Sequence, residues 1–141
     1  MRFHSIVAGS LRSRATDKYG SGQFHAGRSM DKKRREHQGL DIQARPSERI
    51  LSPIDGAIIR EAAPYSPFTG VAIRGTGDYT GYEVKLFYVK GYLCGPVKAG
   101  DLIGTAEDLS IKYPGITNHV HLEVRNRGIV VSPLHVYQMC F

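Results

Sequence analysis

Cysteine is scarce: Cys94 and Cys140 are the only two among 141 residues. Their separation matches neither a metal-binding pair nor a framework of bridges. A chain of this length must then hold itself together by packing one core, which its size permits. Long apolar runs are missing as well. No stretch approaches the roughly 20 residues that cross a bilayer, so no membrane span is expected. The opening residues 1–9 lack the apolar centre of a secretory leader. That leaves a mature or excised domain, or export by a route that needs no leader. No nucleic-acid motif or aromatic stacking platform accompanies the basic residues, and nucleic acid is not an expected partner.

What is present is an ordinary globular composition, 41% hydrophobic and 23% charged, as in most folded domains. The formal net charge is +6, with Lys32, Lys33, Arg34 and Arg35 as the densest cluster and Arg12 and Arg14 upstream. Such a run fits a solvated loop first, and second an attraction to an anionic cell-envelope polymer or glycan. A single monomeric domain is expected over 1–141. Residues 1–36 read as a loop-rich covering segment, anchored by Tyr19 and Phe24, and 37–141 as a β core. His25 reads as a surface or supporting histidine.

From Ile50 onward, short β-branched runs are cut by Gly and Pro, the pattern of a mainly β fold. Residues 49–51 and 56–61 flank a turn at 52–56. Further strands are expected at 70–74 and 81–90, and a turn with a short strand at 97–105. One helical turn fits within 108–113, because Pro114 and Gly115 stop anything longer. The pair 52–59 and 97–105 resembles the barrel-sandwich hybrid of biotinyl and lipoyl carrier domains. The carrier chemistry itself is excluded: neither Lys85 nor Lys90 has the Met-Lys-Met or Asp-Lys-Ala setting such a lysine needs.

Two motifs carry the chemistry. In the extended run His119-Val120-His121-Leu122-Glu123-Val124, alternation puts His119, His121 and Glu123 on one face and the apolar residues on the other. Imidazoles two apart on a strand lie about 7 Å apart, so one can bind a metal while its neighbour supports it. Far upstream, His37 and Asp41 flank Gly39. A straight strand would hold them about 13 Å apart, so the chain is expected to kink there, and Gly39 is the residue that allows it. Taken alone, His-x-His fits two unrelated histidines as well as a metal site. With His-x-x-x-Asp added, the nitrogen and oxygen donors match what zinc prefers.

Together these motifs resemble the lysostaphin-type zinc metallopeptidases, a peptidoglycan endopeptidase family that cuts the peptide bridges of bacterial cell walls. The resemblance is closer to the leukocyte cell-derived chemotaxin branch. It is carried by Gly20-Ser21-Gly22-Gln23-Phe24, by 37–41, by Val84-Lys85-Leu86-Phe87-Tyr88, by Gly95-Pro96-Val97-Lys98, and by Tyr113-Pro114-Gly115-Ile116 leading into 119–123. It implies antiparallel sheets in a barrel-sandwich-hybrid (duplicated hybrid motif) arrangement with long N-terminal loops. It implies Zn2+ held by His37, Asp41 and His121, with His119 as general base or stabiliser of the tetrahedral intermediate. Glu123 would orient an imidazole or stand as a plain surface carboxylate.

Active members of the family add a second catalytic histidine in Tyr-x-His. Here Phe87-Tyr88-Val89-Lys90 puts Lys90 at that position, and a one-residue shift in pairing would put Tyr88 there. The chemotaxins also carry a disulfide framework where this chain has Val7, Thr16, Ser21, Ala44, Glu83 and Arg125. That loss points to a bacterial or phage-like source. The expected function is zinc-dependent hydrolysis of peptide bonds in peptidoglycan stem or cross-bridge peptides, acting outside the cytoplasm in the periplasm or cell envelope. The alternative is a catalytically silent zinc-binding module that signals or binds a glycan through its surface.

Overall fold

The computed structural model describes residues 2–9, 11, 12, 14, 39–91 and 94–137. Ten strands follow in order: β1 (Leu40–Gln43), β2 (Arg49–Leu51), β3 (Gly56–Glu61), β4 (Gly70–Gly75), β5 (Tyr82–Phe87), β6 (Val89–Gly91), β7 (Gly95–Val97), β8 (Leu102–Ala106), β9 (His119–Asn126) and β10 (Ile129–Val131). A short helix α1 (Pro133–Tyr137) ends the described chain. No helix among the described residues is long and apolar enough to cross a membrane.

The strands form two antiparallel sheets. The larger runs β1-β9-β5-β4-β3-β7, with β10 pairing β9 beyond the end of β1. The smaller runs β2-β8-β6. They do not close into a barrel. The mainly β reading and its antiparallel sheets are therefore correct. The expected strands at 49–51 and 56–61 are β2 and β3, and the helical turn expected within 108–113 is a 3-10 turn at Leu109–Ile111.

The strand expected over 81–90 is instead two. Alternation holds through Val84 and Leu86, both fully buried, and then breaks at Tyr88. Tyr88 takes φ 69, a left-handed value that costs an L residue energy and interrupts the pleat. Its N–H and that of Val89 both donate to the Thr69 carbonyl, at 2.8 and 3.3 Å. The break moves the chain from the large sheet to the small one.

The core lies between the sheets. Leu40, Ile42, Ile50, Ile54, Ile73, Val84, Leu86, Ile103, Val120, Leu122 and Val124 are fully buried there. Phe3, Ile6 and Val7 join it from the N-terminal segment, so those residues are built into the packing. Arg12 and Arg14 run alongside β1: the Arg14 N–H donates to the Asp41 carbonyl and the Gln43 N–H to the Arg12 carbonyl, at 2.8 and 2.7 Å. Cys94 is exposed and unbridged; Cys140 lies outside the described residues.

Candidate metal centre

Strand β9 shows the expected two-faced pattern. Val120, Leu122 and Val124 face the core, while His119, His121 and Glu123 share the other face. Register brings in the neighbours: Asp41 of β1 lies across from His121, and on the other side Phe87 of β5 does the same. The Phe87 ring stacks on the His121 imidazole, centroids 5.3 Å apart and 7° from parallel.

Asp41 is the hub. Its Oδ1 accepts from His121 Nδ1 at 2.8 Å, and its Oδ2 accepts from an Arg14 guanidinium N–H at 2.9 Å. His119 Nε2 stands 3.4 Å from the same Oδ2. His121 Nε2 lies 3.1 Å from Glu123 Oε1. All these groups except Glu123 and His121 are almost wholly buried. Asp41 on β1 and His119 and His121 on β9 thus come together at one point. His37, the third expected ligand, lies outside the described residues, as do Tyr19, Phe24, His25 and residues 32–35.

Both partners of His121 are carboxylates, so both its nitrogens donate. Burial acts to lower its pKa, but hydrogen bonds to Asp41 and Glu123 outweigh that and raise it from 6.5 to about 9. A raised folded-state pKa contributes stability in full below the unfolded value and loses it as pH climbs through the folded one. In metal-free protein, the His121 contribution is therefore complete below pH 6.5 and lost as pH rises through about 9. Urea titrations across that window should show a steeper loss of stability in the parent than in His121→Gln. Parallel curves would remove His121 as the cause.

His119 behaves oppositely. Its Nδ1 donates to the Thr117 carbonyl at 2.8 Å, which leaves Nε2 as the acceptor facing Asp41. Burial lowers its pKa, opposed by Asp41 and the Thr117 bond, with the Arg14 and His121 charges adding to the lowering. The ring is neutral. For Glu123, burial acts to raise the pKa, but the bond to His121, with the charges of His121, Lys85 and Arg125, brings it below the usual range.

These donors suit zinc. Asp41 Oδ1 and His121 Nδ1 are 2.8 Å apart, near the about 3.3 Å that separates two ligands of a tetrahedral ion bonded at 2.0–2.1 Å. Among the described residues, no group of three or more His, Cys, Asp or Glu is arranged to hold a metal. The pair needs a third donor from elsewhere in the chain.

Lys90 and Tyr88 separate. Lys90 lies on β6 in the small sheet and lines a cavity with Phe68, Thr105, Glu107 and Asp108. The Tyr88 ring instead stands edge-on to His119, centroids 5.5 Å apart. Arg14 was not singled out as a site residue, because nothing local in the sequence distinguishes it from the other arginines. Phe87 was legible in part: it follows Lys85 by two, on the face that meets Glu123 and His121.

The mouse protein leukocyte cell-derived chemotaxin-2 is 35% identical over 113 residues, 78% of this chain and 71% of its own length. The chain belongs to the leukocyte cell-derived chemotaxin family. No family model matches it. Among solved structures, lysostaphin from Staphylococcus simulans superposes with a TM-score of 0.69 at 15% identity, covering 98% of this chain and 55% of that one. A zinc-containing peptidase from Vibrio cholerae gives 0.67 at 20% identity, covering 93% and 39%. At these identities the structural likeness establishes the fold alone, and the chain spans well under half of the Vibrio protein.

Proposed function

We propose that this domain binds zinc through His37, Asp41 and His121 and hydrolyses peptide bonds in peptidoglycan stem or cross-bridge peptides. Its place of action would be outside the cytoplasm, in the periplasm or cell envelope. The reading is carried by one observation: Asp41 sits buried between His121 and His119, within 3.4 Å of both. Zinc held there would polarise a peptide carbonyl and bring the pKa of a water down towards about 7.

The chain's own groups supply the rest. Asp41 and His121 hold the metal in place, with Glu123 orienting the His121 ring from behind. His119, neutral and fixed by the Thr117 carbonyl, offers Nε2 to accept a proton from attacking water and pass it to the leaving amine. Phe87 covers one face of His121 and limits its rotation. Basic residues would draw in an anionic wall polymer.

A second reading is favoured by Lys90, which stands in sequence where the resemblance calls for a catalytic histidine and lies on β6 of the small sheet. In that reading the domain binds zinc and acts through its surface, without turnover. Zinc-loaded protein incubated with cross-linked muropeptides separates the two. Cleavage that His121→Ala abolishes supports the peptidase. Intact muropeptides, in a preparation that a known lysin cuts, leave the silent module.

A further inference from the structure

Lys90 and Glu107 line one cavity of about 260 Å³ at the small sheet. Among the described residues, Lys90 Nζ has no hydrogen bond or ion pair, and Glu107 uses only one carboxylate oxygen. That oxygen, Oε1, accepts from the Thr69 N–H at 2.8 Å, and the Thr69 hydroxyl holds Glu61 beside it. The main chain fixes the walls: the Glu107 N–H donates to the Tyr88 carbonyl and the Ser47 N–H to the Ala106 carbonyl, both at 2.8 Å. Phe68 and Ala106, buried, give the cavity an apolar side. Ile111 also lines it and is 71% exposed.

We propose that this cavity binds the zwitterion of an α-amino acid with an apolar side chain, its carboxylate on Lys90 and its ammonium on Glu107. The site is separate from the candidate metal centre and does not depend on the peptidase reading. Charge decides the ligand class. A purely anionic molecule would meet the carboxylates of Glu107 and Asp108, and a purely cationic one would meet Lys90. A neutral one would leave both charges without a counterion. A molecule carrying both charges a few bonds apart satisfies the two ends together, through charge-assisted bonds of the stronger kind. Ser47 and Thr105 add hydroxyls that donate or accept as the ligand requires. The ligand's side chain lies against Phe68 and Ile111 and takes exposed apolar surface out of water.

The state of Glu107 fits this role. Burial raises its pKa; the Thr69 bond and the Lys90 charge pull it down, the Glu61 charge pushes it up, and the balance lies above the usual value. The carboxylate is thus short of positive charge, and a ligand ammonium supplies it. The left-handed residue Tyr88 brings Lys90 here, because it turns the chain from the large sheet to the small one. Size fits as well. Pockets for drug-sized ligands run to about 300–1,000 Å³, and this smaller one suits a single amino acid.

NMR of the whole chain labelled at isoleucine methyl groups tests the site, with L-leucine as the probe. Leucine should shift the Ile111 methyl signal saturably and leave in place that of Ile129, which is 72% exposed on β10. N-acetyl-leucine lacks the ammonium and leucinamide lacks the carboxylate. Each should bind about 10-fold or more weakly than leucine, the worth of one lost bond to a charged group. Lys90→Gln should weaken leucine by a similar factor, and so should Glu107→Gln, which keeps an oxygen for the Thr69 N–H. Lys90 is exposed, so its variant should keep the fold, and its remaining isoleucine signals check that. Absence of a saturable Ile111 shift overturns the proposal, as do equal affinities for the three compounds or a parental leucine affinity in Lys90→Gln. The titration is run in chelator, so its failure would leave the peptidase reading standing.

Discussion

Gly39→Ala should cost the fold about 3 kcal/mol or more and loosen zinc binding at once. A Cβ at this position would sit 2.1 Å from the Leu122 carbonyl oxygen, 2.9 Å from its carbon and 3.0 Å from His121 Nε2. Overpacking a tight site typically costs about 1–3 kcal/mol. Here the obstacle is backbone in the middle of β9, which cannot swing aside as a side chain can. Relief requires β1 to move away from β9, and that movement takes Asp41 from His121. Metal affinity should fall with stability, by at least the about 10–100-fold typical of disturbed supporting groups. Gly115→Ala is the control. Gly115 has φ 83 and nothing within 4 Å of an added Cβ, so it should lose about 1–2 kcal/mol to backbone strain without touching zinc affinity. Denaturant midpoints and zinc titrations of both variants measure the difference. A Gly39→Ala protein that matches the parent in both would show that β1 and β9 tolerate separation at the site.

The glycine also shows how far the sequence could be read. Its presence between His37 and Asp41 marked the segment as special, and the expected reason was a kink. The structure has a bend at Gly39 and adds a second requirement there, close approach to β9. A requirement of that kind depends on a strand 83 residues downstream in the chain and leaves no local trace. The same holds for Arg14, whose importance comes only from lying beside β1. By contrast, the face of β9 was fully legible, because a period of two sorts six residues without knowledge of their neighbours. Tyr88 marks the boundary between the two cases. Alternation in 82–87 was correct, but one left-handed residue reset it, and Lys90 passed to the other sheet.

Asp41→Ala should produce the largest loss of any single substitution at the site. Asp41 and Arg14 form an ion pair with side chains only 2% and 4% exposed. Removing one member of such a pair costs about 3–5 kcal/mol, since the other charge stays buried without the partner that offset its desolvation. The exposed pair Arg60–Glu83, 3.5 Å apart with side chains 51% and 36% exposed, gives the comparison; breaking it should cost less than about 1 kcal/mol. Asp41→Ala also takes away one of the two proposed zinc donors that the described residues bring together. Zinc at about 100 times its Kd stabilises a binding protein by about 2.7 kcal/mol, and the variant should gain none of it. The two effects separate cleanly: the first is seen in chelator, the second only on adding zinc. Arg14→Ala discriminates further, because it leaves Asp41 its bond to His121 and should keep zinc binding while weakening the fold. If Asp41→Ala kept its zinc-dependent rise in stability, Asp41 would not be a ligand, and the convergence of β1 and β9 would be a matter of packing alone.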